Sequence, residues 1–319
     1  MTDPFVFYQP AAAWPLGARS VKEVAHIARK AAAMITVRLL GGLGNQLFQY
    51  ATGRALALRL GVPLAIDDRE AKRADQTWLQ PGLHHFDIKT AQNASLPPDR
   101  TKALRYAAWR AFGRSPRFLR EADLSVNSSV LTASNNTYLH GYFQSERYFL
   151  DAEPQIRADL EIVTPPSPQN AEWLARLRAT PGATAVHLRR GDYVADAKAA
   201  ETHGSVGPNY YAGAIAEVEA RSGQEPEIFV FSNDPDWCRE ALSLPRPFTV
   251  VGHNSADDHY EDLRLMAACR HHVIANSTFS WWGAWLGASQ DQTVVAPAQW
   301  FASGARQNPD ILPKHWLAL

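Results

Sequence analysis

Two arginines stand side by side in the stretch His187-Leu188-Arg189-Arg190-Gly191-Asp192-Tyr193. A guanidinium group is a planar fork of donors that matches phosphate oxygens two at a time, so adjacent arginines at one turn can hold a diphosphate. Gly191 lets the backbone turn sharply beside a ligand. The same residues can equally form a surface pair, with Asp192 as the ionic partner. Position favours the ligand: Thr184 to Leu188 reads as a strand, which puts both arginines where a strand ends.

Three other stretches carry comparable chemistry. In Asn276-Ser277-Thr278-Phe279-Ser280-Trp281-Trp282 a strand gives way to a helix, with Ser277 as N-cap. The N–H groups of Thr278, Phe279 and Ser280 can then face an anion, although ordinary capping explains the same pattern. Trp281, Trp282 and Trp285 are expected in the core rather than under a sugar. Phe231-Ser232-Asn233-Asp234-Pro235-Asp236-Trp237 is another strand end, with Asp234 as N-cap and Pro235 as first helical residue. Its Asp-x-Asp spacing could clamp a metal on a diphosphate. Capping is the simpler account, and no metal is expected. Asp234 could also accept hydrogen bonds from guanine N–H donors. Last, Gly41-Gly42-Leu43-Gly44-Asn45-Gln46 permits close ligand approach or simply a tight turn. No Lys follows it and the spacing is not G-x-G-x-x-G, so neither an ATPase nor a nicotinamide enzyme is supported.

The elements that must position these residues alternate. In the second half, strands read at 184–188, 227–232, 248–252, 271–275 and 292–296, and helices at 209–221, 234–243, 258–269 and 278–288. Such alternation implies a parallel, doubly wound α/β sheet, whose ligands sit beyond the carboxyl ends of the strands. The first half opens with a strand over 34–40, a helix from Asn45 to Leu60 stopped by Gly61, and a strand over 62–66. A helix over 101–112, a strand over 137–141 and a helix over 145–158 follow. Thr164-Pro165-Pro166-Ser167-Pro168 reads as a linker. The expected organisation is an extension over 1–33, a domain over 34–163 and a second over 164–319. Met34 opens the first strong strand and is an alternative native start to Met1.

Composition narrows the class. The 319 residues balance 32 Lys+Arg against 32 Asp+Glu, so any anion site must be local. Cys238 and Cys269 belong to no C-x-x-C pair, which argues against a disulfide framework or zinc site and suits a reducing compartment. No run approaches the roughly 18 apolar residues of a membrane span, and the first residues lack a signal-peptide core. A cytoplasmic protein, compatible with peripheral membrane contact, is expected.

Taken together, the stretches 41–57 (GGLGNQLFQYATGRALA), 187–194 (HLRRGDYV), 231–238 (FSNDPDWC) and 276–287 (NSTFSWWGAWLG) resemble the family 11 glycosyltransferases, the galactoside α-1,2-fucosyltransferases. Residues 203–211 (HGSVGPNYY) are similar to the family segment after the arginines. The resemblance runs from Met34 to near the C-terminus. It implies a GT-B-like pair of Rossmann-type domains facing a cleft. It also implies GDP-β-L-fucose as donor, a terminal galactoside of an oligosaccharide or glycolipid as acceptor, inversion at the anomeric carbon, and neither metal nor cofactor. Arg189 or Arg190 would hold the β-phosphate. Ser277, Thr278 and the Phe279 backbone would complete the cradle. His187 and Asp234 would sit near the guanosine, and Gly44 and Asn45 would reach in from the first domain.

The catalytic base is not singled out. Asp192, Asp196, Glu201 and His203 follow the arginines, and Asn45 near the donor is a further candidate. Acceptor recognition falls mainly to residues 68–135. Three rival readings stand: a fucosyltransferase of another linkage or donor, a phosphotransferase using the glycine turn, and a non-catalytic glycan-binding protein using its tryptophans.

Overall fold

The structure is a computed structural model, and it describes residues 33–70, 82–91, 96–98, 102–112, 116–190, 206–301 and 307–319. Residues 34–319 form one compact unit. Residues 1–32, Gly191 to Ser205 and the candidate bases Asp192, Asp196, Glu201 and His203 lie outside the described residues.

The chain opens with β1 (Ile35–Arg38), α1 (Leu43–Leu60) and β2 (Leu64–Asp67). Gly61 ends α1 in the left-handed conformation at φ 61°, where a side chain would be strained. Next come α2 (Ala103–Phe112), β3 (Arg117–Arg120), the short helix α3 (Ser128–Leu131) and β4 (Thr137–His140). All four strands pair parallel in the order β2-β1-β4-β3.

The expected single helix over 145–158 is instead two 3-10 turns, Glu146–Tyr148 and Leu150–Ala152, followed by α4 (Glu153–Asp159). Phe149 breaks the run at φ −138°, ψ 6°, and its ring is fully buried. Burial of that ring outweighs local helix propensity. The proline-rich run also differs from expectation. Ser167 accepts from Asn170 N at 3.2 Å and Pro168 opens α5 (Pro168–Ala179), so part of the expected linker is a helix start.

The second sheet follows from β5 (Ala183–Leu188), α6 (Pro208–Ser222), β6 (Glu227–Ser232), α7 (Pro235–Glu240), β7 (Phe248–Val251), α8 (His259–Ala267), β8 (His271–Val273), α9 (Thr278–Leu286), β9 (Val294–Ala296) and β10 (Leu317–Ala318). Its strands are all parallel, in the order β10-β9-β8-β5-β6-β7. Alternate residues bury on opposite faces. Ala183, Ala185, Phe229 and Phe231 join one core, while Val186, Leu188, Ile228 and Val230 join another. A sheet covered on both faces is doubly wound, as expected from the β-branched and aliphatic runs. The two parallel α/β sheets are the GT-B-like pair of Rossmann-type halves.

Helix α1 is buried nearly all round, because it lies between the first sheet and α9. The Phe48 ring packs 4.5 Å from that of Trp281 and 5.0 Å from that of Trp282. Phe149 stacks on Trp282 at 5.5 Å. Trp281, Trp282 and Trp285 are therefore core, as expected. Truncating one such ring costs about 3–5 kcal/mol. Cys238 and Cys269 are free and buried.

Candidate active site where the two switch points meet

In each sheet the strand order reverses at one place, and in open α/β sheets the crevice there takes the ligand. In the second sheet the reversal falls between β5 and β8. Arg189 and Arg190 follow β5, and Ser277 to Ser280 follow β8. In the first sheet it falls between β1 and β4. The glycine turn follows β1, and the turn from Gly141 to Gln144 follows β4.

The two switch points touch. A Cβ placed on Gly44 would lie 2.5 Å from the Thr278 carbonyl carbon and 2.6 Å from Phe279 N. Only glycine allows the start of α1 to press against the start of α9 this closely. The close approach at Gly44 is made to protein backbone, which is the tight-packing alternative to a ligand contact.

Both helices meet there without a side-chain cap. Gly42 caps α1 and Ser277 caps α9, and neither supplies a side-chain hydrogen bond. Ser277 occupies the N-cap position expected of it, but the Ser277 side chain is buried and leaves the first-turn N–H groups of α9 uncapped. Each helix N-terminus carries roughly half a positive charge. Bringing two together is unfavourable until an anion lies between or beside them.

The glycine turn is held by the glutamines that follow it. Gln46 Nε2 donates to Gly41 O at 2.9 Å, and Gln49 accepts from Leu40 N at 2.8 Å and donates back to Leu40 O at 3.2 Å. Gly41 sits at φ 70°, and a Cβ there would meet Asn45 Nδ2 at 2.5 Å. Asn45 Oδ1 accepts from Gln144 Nε2 at 2.8 Å, which joins the two loops of the first switch point. The β4 loop is pinned in turn by Glu121, whose carboxylate accepts from Tyr142 N at 2.6 Å and Phe143 N at 2.9 Å.

Both arginines are half-buried, and Arg190 contacts the third motif. Its Nε lies 3.5 Å from Asp234 Oδ2, its guanidinium carbon lies 4.1 Å over the Trp237 ring, and its backbone N donates to Asn233 Oδ1 at 2.9 Å. The ionic partner is Asp234, supplied by the third motif, whereas Asp192 lies outside the described residues. Asp234 also caps α7, accepting from Trp237 N at 3.3 Å. Asp234 Oδ1 thus serves the cap, while Oδ2 faces Arg190 without a hydrogen bond and keeps lone pairs for a ligand such as guanine.

His187 is buried at the end of β5, with its ring 6.0 Å from that of Phe279. The His259 ring also lies near Phe279, at 6.2 Å. His259 was not among the residues expected from sequence. Its Nδ1 donates to Ala256 O at 2.8 Å, and burial holds its pKa below the usual histidine value, so the ring is neutral with its lone pair on Nε2. Among the described residues no three His, Cys, Asp or Glu side chains gather as metal ligands. Gln144, Asn308 and His259 were missed because single polar residues in loops carry no spacing signal.

The sequence profile of glycosyl transferase family 11 matches residues 7–319. The chain is 30% identical over 300 residues to an α-1,2-colitosyltransferase of Escherichia coli, covering 90% of this chain and 99% of that one. It is 31% identical over 293 residues to the O-antigen biosynthesis glycosyltransferase WbnK of Escherichia coli, covering 83% and 94%. It is 26% identical over 289 residues to galactoside α-(1,2)-fucosyltransferase 2 of Oryctolagus cuniculus, covering 86% and 72%. Among solved structures, the NodZ α-1,6-fucosyltransferase soaked with GDP-fucose is 17% identical, with a TM-score of 0.45 over 80% of this chain and 92% of that one.

Proposed function

The chain belongs to glycosyl transferase family 11, and from that premise we propose that it transfers L-fucose from GDP-β-L-fucose to the 2-hydroxyl of a terminal galactoside, with inversion and without a metal. The observation that carries this is the meeting of two uncapped helix N-termini at Gly44 and Thr278, beside the arginines that follow β5. These groups concentrate fixed positive charge where a departing diphosphate needs it.

In the displacement, the acceptor oxygen forms a bond to the anomeric carbon as that carbon's bond to the β-phosphate oxygen breaks. The electron pair leaves with GDP, and the hydroxyl proton passes to a base or to solvent. Arg189 and the N–H groups of Thr278 and Phe279 stabilise the phosphate charge. Asn45 contributes amide donors from the opposite side. His187 and Asp234 lie on the nucleoside side.

A second donor is favoured by the likeness to a colitosyltransferase. Colitose lacks the 3-hydroxyl of fucose, so one pocket could take either. Incubation with GDP-fucose or GDP-colitose, a panel of galactosides and a chelator, followed by linkage analysis, tests the reading. An α-1,2 product formed despite the chelator is expected. Glycan binding without transfer, unchanged when Arg189 and Arg190 are both alanine, would show a binding protein instead.

A further inference from the structure

The charge balance of the whole chain hides a local excess. Lys+Arg and Asp+Glu are 32 each, yet residues 100–120 contain seven Lys or Arg and no Asp or Glu. This stretch includes α2 and β3, and β3 is the outer strand of the first sheet. Among the described residues, helix α2 meets β3 through Trp109, whose ring lies edge-on 6.1 Å from that of Phe118, with Tyr106 beside it.

The opposite side of α2 is an apolar stripe facing water. Leu104, Ala107, Ala108 and Ala111 recur at the helical spacing of one face, all are exposed, and Leu104 is 89% exposed. Lys102 and Arg105 are exposed on the same helix region, and Arg117 and Arg120 are exposed on β3. None of these four cations forms an ion pair with another described residue. Free anions or a polyanion would require only the charges. An outward aliphatic stripe among cations matches a partner that is anionic at its surface and apolar beneath. The aromatic rings of the helix, Tyr106 and Trp109, pack inward rather than standing out as base-stacking platforms.

We propose that α2 and the β3 edge form a membrane-contact face that binds bilayers containing anionic lipid, with α2 lying in the plane of the interface. The proposal goes beyond the transferase reading and does not depend on it. Such a face would hold the first half of the enzyme near lipid-borne glycans.

Sedimentation of the full chain with phosphatidylcholine vesicles, with and without phosphatidylglycerol, tests it. We expect binding about tenfold stronger or more when phosphatidylglycerol is present, falling as salt rises. Replacing Arg105 and Arg120 together by Glu, or by the milder Gln, should remove that preference. Leu104→Ser should weaken binding severalfold at constant charge. GDP binding and the unfolding midpoint should be unchanged in these variants. Equal binding to both vesicles, or binding unaffected by the arginine replacements, would overturn the proposal. So would wild-type capture by heparin with no binding to anionic vesicles.

Discussion

Gln144 donates its side-chain amide to Asn45 Oδ1 at 2.8 Å, and Gln144 Oε1 accepts in turn from Asn308 Nδ2 at 3.2 Å. The chain of amides has a direction. The bond to Gln144 fixes which end of the Asn45 amide is oxygen and turns its N–H groups the other way, while Oδ1 keeps a second lone pair. Asn45 is therefore oriented to donate to a phosphate or sugar oxygen.

Gln144→Glu should reverse that arrangement, because a carboxylate draws the Asn45 amide nitrogen toward itself. The expected loss in kcat/KM is on the order of ten- to a hundredfold, with unfolding midpoint little changed. Asn308→Ala should cost less, since Gln144 keeps its own bond to Asn45. Wild-type kinetics in Gln144→Glu would remove Asn45 from the donor site.

Both arginines follow β5, and Arg190 is held by Asp234 and Trp237. Arg189→Ala should abolish most transfer and weaken GDP binding, on the order of a hundredfold in rate. If Asp234 serves to hold Arg190 at 3.5 Å and to cap α7, Asp234→Asn should leave the preference for GDP over IDP unchanged, because inosine differs from guanosine only in lacking the N2 amine. A collapse of that preference, measured by competition binding, would instead assign Asp234 to the guanine.

Gly44→Ala tests the contact between the switch points. The added methyl would sit 2.5 Å from backbone of the opposite half, where no flexible side chain can yield. A loss of about 1–3 kcal/mol is expected from overpacking, with transfer falling further as the two helix starts separate. Gly207→Ala, where a Cβ meets nothing within 4 Å, is the matched control. Denaturant midpoints and kcat/KM for both variants check this.

Much of this site could be read from the sequence, for a physical reason. Strand-end arginines, a helix start and a glycine turn are local patterns, and local patterns fix where a parallel sheet places its loops. The alternation over 184–296 likewise gave β5 to β9 within a few residues. What escaped was long-range or compensated. Asn45 and Gln144 lie 99 residues apart, and Gln144 and Asn308 lie 164 apart. Ser167-Pro168 was hidden in a proline run whose last member opens a helix. Strand β10 has two residues and exists because β9 offers it an edge. Gln46, Gln49 and Thr52 of α1 are buried although polar, since the helix is packed on both sides.

A last prediction concerns pH. Asp262 on α8 accepts from Asn254 Nδ2 at 2.8 Å, Asn254 Oδ1 accepts from Asn170 Nδ2 at 2.8 Å, and Asn170 Oδ1 receives His253 Nε2 at 2.8 Å. Burial pushes the Asp262 carboxyl up to about 7, against the hydrogen bond from Asn254 and aided by Glu261 and Asp258. An unfolded Asp titrates near about 3.9. The folded protein therefore keeps the proton that the unfolded chain loses. The stability it contributes is fully present below the unfolded value and is lost as pH rises to about 7. Asp262→Asn keeps the acceptor for Asn254 and removes the charge. Compared with wild type, it should gain on the order of 1–3 kcal/mol between pH 4.5 and pH 8, a range discounted for partial solvent screening. His253, whose pKa burial pushes down, loses its contribution only as pH falls below the usual histidine range, and it is common to both proteins. Urea midpoints of wild type and variant across that range measure the difference directly. A constant gap at every pH would mean that Asp262 titrates normally in the folded chain.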